Sequence, residues 1–119
     1  MNQPVRIQRK RTKGWRMPEN TISVTRPGKW GNPFKLGDNL KEIDKLLLLK
    51  ADLNLQEITA GIVTRDVSIK LYNSWLSNTD EGVKVQSAAH QELKGKNLAC
   101  FCSINDLCHG DILIKIANN

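Results

Sequence analysis

The residues able to do chemistry in this 119-residue chain gather in two short stretches. The first, ACFCSINDLCHGD over residues 99–111, holds all three cysteines, Cys100, Cys102 and Cys108, followed at once by His109, Gly110 and Asp111. Four readings compete for it. Cys-x-Cys-x5-Cys-His offers four zinc-type ligands, but the spacing is not a usual zinc-knuckle pattern, and Cys100 would have to reach the same ion as His109. The expectation is therefore no structural metal and no cofactor. A cysteine at a helix start has a lowered pKa and suits a nucleophile, with His109 beside it. No orienting third group is evident, so no residue is assigned a catalytic role, and a binder is favoured over an enzyme. A helix start also offers free N–H groups and the positive end of the macrodipole, a ready anion site. On that reading the helix holds a phosphate, Cys102 and Cys108 line the site, and His109 and Asp111 hold a sugar or base. The plain alternative makes the cysteines small core residues.

The second stretch is RPGKWGNPF, residues 26–34. Two glycines and two prolines in nine residues make a rigid, sharply turned loop. Arg26 and Lys29 are phosphate-type donors, and an arginine binds phosphate bidentately. Trp30 offers a flat face for a base, Gly31 a close backbone approach, and Asn32 a donor and an acceptor for a base edge or ribose. Phe34 reads as a core plug. Arg26, Lys29, Trp30, Gly31 and Asn32 are thus candidate ligand-binding residues.

Each stretch needs an element to carry it. Val5 to Gln8 alternates apolar and polar residues like a half-buried strand, and residues 21–25 are a second β-like run rich in β-branched residues. Residues 98–102 read as a buried strand leading into a helix over 110–117. Asn39 with Glu42 predicts a capping box opening a helix to about Leu53. Val63, Val67, Leu71 and Trp75 recur every four residues and predict a helix over 63–76; a shorter one is predicted over 86–93. Strands alternating with helices give an α/β class: a single small domain over 1–119, a compact sheet with helices packed on it, with a Rossmann-like tendency and a strand order the sequence does not yield. Both candidate loops follow β-like runs, and in α/β folds ligands gather at the carboxyl ends of strands.

Charge is unevenly placed. Residues 1–35 carry nine Lys/Arg against one acid, a net +8, and residues 36–119 carry nine against eleven, a net −2. A basic end attracts an anion: a nucleotide, a nucleic acid or an acidic protein. No export-type apolar segment is visible, and the longest apolar run, Leu46 to Leu49, is far too short to span a membrane. The expectation is an intracellular, cytoplasmic chain with reduced thiols.

The two stretches together, with LKGKNLACFC at 93–102 and CHGDIL at 108–113, resemble a small domain-of-unknown-function family. That family is marked by a G-R-x-x-x-W-G-N-P-F loop and a C-W-C…C-H-x-D-x-L end, and is common in bacteriophages. The resemblance runs from Val5 to Ala117, with Thr25 where a glycine is usual, Phe101 for the usual tryptophan, and a longer 41–62 segment. It implies a role in phage–host conflict or phage nucleotide metabolism. The reading favoured at this level is a domain that binds a nucleotide-like small molecule without turnover. Its use would be that of a sponge sequestering a host immune signal, such as a cyclic nucleotide or an ADP-ribose derivative. A sponge favours a homo-oligomer, for which the Leu46–Leu49 helix offers an interface. The alternatives are a small enzyme acting on nucleotides or nucleosides and, third, a nucleic-acid-binding module.

Overall fold

The computed structural model describes residues 3–26 and 28–119, so Pro27 of the turned loop lies outside the described residues. Three short strands, β1 (Arg6–Gln8), β2 (Thr21–Ser23) and β3 (Asn97–Cys100), form one parallel sheet in the order β1-β3-β2. The central β3 carries the buried run Leu98, Ala99 and Cys100, as a strand covered on both sides requires. Gln8 pairs with Cys100 and Ser23 with Ala99, so all three strands deliver their carboxyl ends to one edge. The α/β class holds, while β1 and β2 are joined without a helix, unlike the regular alternation of a doubly wound sheet.

Between β2 and β3 the chain runs through a 3-10 turn (Leu40–Glu42) and helices α1 (Lys45–Lys50), α2 (Leu55–Ala60), α3 (Arg65–Asn78) and α4 (Asp80–Glu92). Helix α5 (His109–Ala117) closes the chain. The Val67–Leu71 periodicity marks the inner face of α3, whose Val67, Leu71, Tyr72 and Leu76 are buried. Thr64 rather than Val63 opens that helix, its hydroxyl accepting from the Val67 N–H.

Two helices differ from expectation. Asn39 accepts from the Lys41 N–H and starts only a 3-10 turn; Ile43 is extended and packs inward, and Asp44 then caps α1. The capping box of this region belongs instead to Asn54 and Glu57, at the start of α2. Helix α4 begins six residues earlier than the 86–93 segment, because Thr79 makes the α3–α4 corner alone. Its hydroxyl donates to the Trp75 carbonyl at 2.8 Å and accepts from the Gly82 N–H at 2.9 Å. A Cβ at Gly82 would run into the Trp75 carbonyl, so this corner needs glycine.

The main core packs Val24, Tyr72, Leu76, Leu93, Leu98 and Leu113 around the sheet. A satellite core of Leu40, Ala51, Val63, Val67 and Leu71 lies under the 38–62 excursion.

Candidate functional site

A cavity of about 380 Å³ opens at the carboxyl ends of β2 and β3. Its wall includes Arg26 and Asn32 from one candidate loop and Cys102, Cys108 and His109 from the other. The structure thus brings the two stretches together across the 64 residues of intervening chain, 35–98. Arg65 from α3 and the Phe101 ring join them.

Arg26 is exposed and forms no ion pair among the described residues. Gly31 sets its stem: a Cβ at Gly31 would stand 2.7 Å from Arg26 Cγ. Asn32 is buried and works as a staple, its amide donating to Ser68 Oγ at 2.9 Å and its Oδ1 accepting from the Phe34 N–H at 2.9 Å. Ser68 Oγ in turn donates to the Phe34 carbonyl at 2.7 Å, which ties the loop to α3. Trp30 is buried in the main core and is not among the cavity-lining residues. Lys29 lies over the Trp30 ring and pairs with Glu92 at 2.7 Å, away from the cavity wall. Asp111, also outside the wall, pairs with Arg6 at 3.0 Å.

Arg6 is the residue that sequence reasoning passed over. Its side chain is only 6% exposed, and its guanidinium donates to the carbonyls of Cys102, Ser103, Ile104 and Asp106 at 2.7–3.4 Å. The loop after β3 therefore wraps around one cation, and β3 ends at Cys100 rather than 102. Gly110 leaves the room: a Cβ there would lie 3.3 Å from Arg6 Cδ.

That wrapping returns Cys108 to the end of β3, where its Sγ lies 2.9 Å from Cys100 Sγ. All three sulfurs fall within 4.8 Å of one another, and all three thiols are free. Arg6 Nη1 donates to Cys100 Sγ at 3.7 Å, Arg65 Nη1 to Cys102 Sγ at 3.6 Å, and the Gly110 N–H to Cys108 Sγ at 3.4 Å. The Cys108 hydrogen bond, with Arg6 assisting, lowers the Cys100 thiol to about 5; the same bond, with burial, raises that of Cys108. The two thiols therefore titrate as one coupled pair rather than as separate groups.

His109 caps the cavity floor. Its Nε2 lies 2.7 Å from the Val24 carbonyl, which can only accept, so Nε2 carries the proton and Nδ1 presents a lone pair 3.7 Å from Cys108 Sγ. Burial lowers its pKa and keeps the ring neutral. The edge of Tyr72 packs on it at 5.3 Å between centroids, and the buried Tyr72 hydroxyl has no partner among the described residues.

A family model described as "Domain of unknown function (DUF4326)" matches residues 7–119. The chain belongs to the DUF4326 family. The match takes in both cavity-forming stretches, so the cavity is made entirely within the DUF4326 domain. No curated protein and no solved structure matches the chain. Among the described residues no helix is long and apolar enough to cross a membrane.

Three of the nine basic residues in 1–35 are held by polar partners. Arg6 is enclosed, Lys29 is paired, and Arg9 donates to Ser23 and Thr25 hydroxyls at 3.0 and 2.9 Å. Arg9 and Arg11 also lie over the Phe101 ring at 4.5 and 4.3 Å, which places positive charge at the cavity's rim.

Proposed function

We propose that this domain binds a nucleotide-like anionic small molecule in the strand-end cavity. The observation that carries the reading is an uncommitted Arg26, held by Gly31 at the wall of a cavity of about 380 Å³. That volume suits a small ligand, and the position at parallel strand ends is where α/β folds hold them. Arg65 adds a second cation, and Arg9 and Arg11 over the Phe101 ring add positive charge at the rim. The finer use, in which a phage protein sequesters a host immune signal such as a cyclic nucleotide or an ADP-ribose derivative, draws on the family resemblance and not on the cavity.

The test is incubation with a nucleotide panel, heat denaturation, and chromatography of what is released. Intact ligand supports a binder. Arg26→Ala should weaken binding by about 2–5 kcal/mol, roughly 30- to several thousand-fold, with the melting temperature unchanged. Arg26→Lys should restore only part of it, lacking the bidentate fork. Full affinity in Arg26→Ala removes the residue from the site.

A second reading, turnover of the nucleotide, draws on Cys100 at the cavity wall, whose thiol pKa is lowered by the Cys108 hydrogen bond and by Arg6. The same chromatogram separates the two, since turnover leaves a product. Binding of nucleic acid, a third reading, would show as a steep loss of affinity with salt.

A further inference from the structure

We infer that Cys100, Cys102 and Cys108 form a metal site for a soft divalent cation of the Zn²⁺ class. The spacing Cys-x-Cys-x5-Cys argues against such a site only while the loop between Cys102 and Cys108 is imagined as extended. Arg6 gathers that loop's carbonyls and folds it back, so the three sulfurs converge within 4.8 Å of one another. Tetrahedral Zn–thiolate bonds of about 2.3 Å set sulfurs about 3.8 Å apart, so Cys100 and Cys108 need to part by only about 1 Å.

The surroundings of the sulfurs carry the inference further than their proximity. Each sulfur accepts one N–H: Cys100 from Arg6, Cys102 from Arg65, and Cys108 from the Gly110 backbone. Donors aimed at every sulfur are the outer shell that orients and charge-balances metal thiolates. A dication with three thiolates bears a net charge of −1, and two guanidinium groups stand against it. A Cys100–Cys108 disulfide would leave Cys102, with its own arginine, unexplained.

The fourth position is open to water or to a group on the cavity's ligand, since all three sulfurs belong to residues of the cavity wall. His109, whose Nδ1 lies 3.7 Å from Cys108 Sγ, stands beside the three sulfurs rather than among them. Thiolate ligands select thiophilic ions over Mg²⁺ or Ca²⁺, and each thiol that binds gives up its proton to solvent. The inference does not depend on the cavity's organic ligand, since the three sulfurs come from the protein alone.

The experiment uses the full chain, expressed with Zn²⁺ and purified under reductant without chelator. Elemental analysis should find close to one zinc per chain. After chelation and removal of zinc, Co²⁺ alone should produce a thiolate-to-cobalt charge-transfer band and tetrahedral ligand-field bands, both lost on adding Zn²⁺. Arg65→Ala should weaken Co²⁺ binding about 10- to 100-fold, and Cys102→Ser by more than that. Cys102 is only partly buried, so its variant is the one best placed to fold. If it does not fold, the wild-type cobalt spectrum decides alone. Reduced wild-type protein without zinc and without a cobalt–thiolate band overturns the inference. So does zinc retained undiminished by folded Cys102→Ser, or a Cys100–Cys108 disulfide as the resting state under reductant.

Discussion

The strand-end region and the 38–62 excursion are held in different proportions by polar and apolar contacts. Around the strand ends, polar groups specify the structure: Arg6 binds four carbonyls, Asn32 staples its own loop to α3, and every cysteine sulfur accepts an N–H. In the excursion, apolar side chains do more of the holding, joined by Ser74 Oγ donating to the Leu47 carbonyl at 3.0 Å and by the Lys70–Glu57 pair at 2.8 Å. Leu40, Leu47 and Ala51 are buried, while Leu46, Leu49, Leu55 and Ile58 stand exposed. Apolar contact is tolerant of shape and gives adhesion; buried hydrogen-bond networks are intolerant and give a single geometry. The difference teaches where a ligand is expected, since a site needs side chains held to one geometry. The excursion lies where the family resemblance has its extra length, and no residue of 38–62 lines the cavity.

The comparison breaks most visibly at Arg6. Arg6→Met removes a nearly buried cation and leaves its carbonyls and Asp111 without their partner. Truncating one member of a buried charged network costs about 3–5 kcal/mol. The expected result is a lower chemical-denaturation midpoint together with loss of small-molecule and Co²⁺ binding. Leu47→Ala tests the other region. It empties a buried position of α1 at a cost of about 2–3 kcal/mol, the low end for a core leucine. Here denaturation should shift while binding at the strand ends survives. If Leu47→Ala abolishes binding and Arg6→Met spares it, the division of labour is wrong.

How far the sequence revealed each region follows the same physics. The apolar pattern located α3, β3 and α5 because buried faces repeat with the period of their element, as Val67 and Leu71 do. The strand-end position of both loops followed from that pattern. Arg6 was not legible: within Val5 to Gln8 it reads as a solvated polar residue, and its partners lie 94–105 residues away. Asn32 and Trp30 were legible as important but not as to role. An amide that could meet a base edge meets Ser68 instead, and an indole that could stack on a ligand packs in the core. Convergence of the three sulfurs depended on Arg6, so it was hidden with it. In the excursion, Asp44 outcompetes Asn39 as the helix start, a choice settled by the burial of Ile43 rather than by local propensity.

Acid should act on the two regions at different pH. Burial lowers the His109 pKa below its ordinary 6.5, so as pH falls through 6.5 the unfolded chain takes up a proton that the folded chain refuses. The contribution of His109 at the strand ends is therefore lost from that point downward. Cys100, lowered from 9.0 to about 5, adds a loss in the same direction that starts higher, below pH 9, and is complete near pH 5. Glu57 in α2 is held below 4.5 by Lys70 and then by the Asn54 backbone, so its contribution is full above 4.5 and lost only below it. Hydrogen exchange on reduced, chelator-treated protein should show protection falling first near β3 and α5, and near α2 at lower pH. His109→Gln should flatten the upper step and Glu57→Gln the lower. The reverse order of loss would contradict this assignment.

The smallest effect is expected at Leu49, which is 82% exposed in α1. An exposed helical leucine contributes little to its own chain, and lysine is an equally good helix former. Leu49→Lys should change folding stability by no more than about 0.5 kcal/mol and leave binding at the strand ends untouched. The substitution also addresses the homo-oligomer expected of a sponge. Leu46 and Leu49 stand exposed on one short helix, and a charge at Leu49 would oppose pairing of that face with a second copy. Light scattering across a concentration series then reads both outcomes at once. A mass that falls from a multiple of the chain to one chain assigns the excursion to self-association. A single-chain mass before and after the change leaves the excursion as a loosely attached cover on α3, and the oligomer expectation fails.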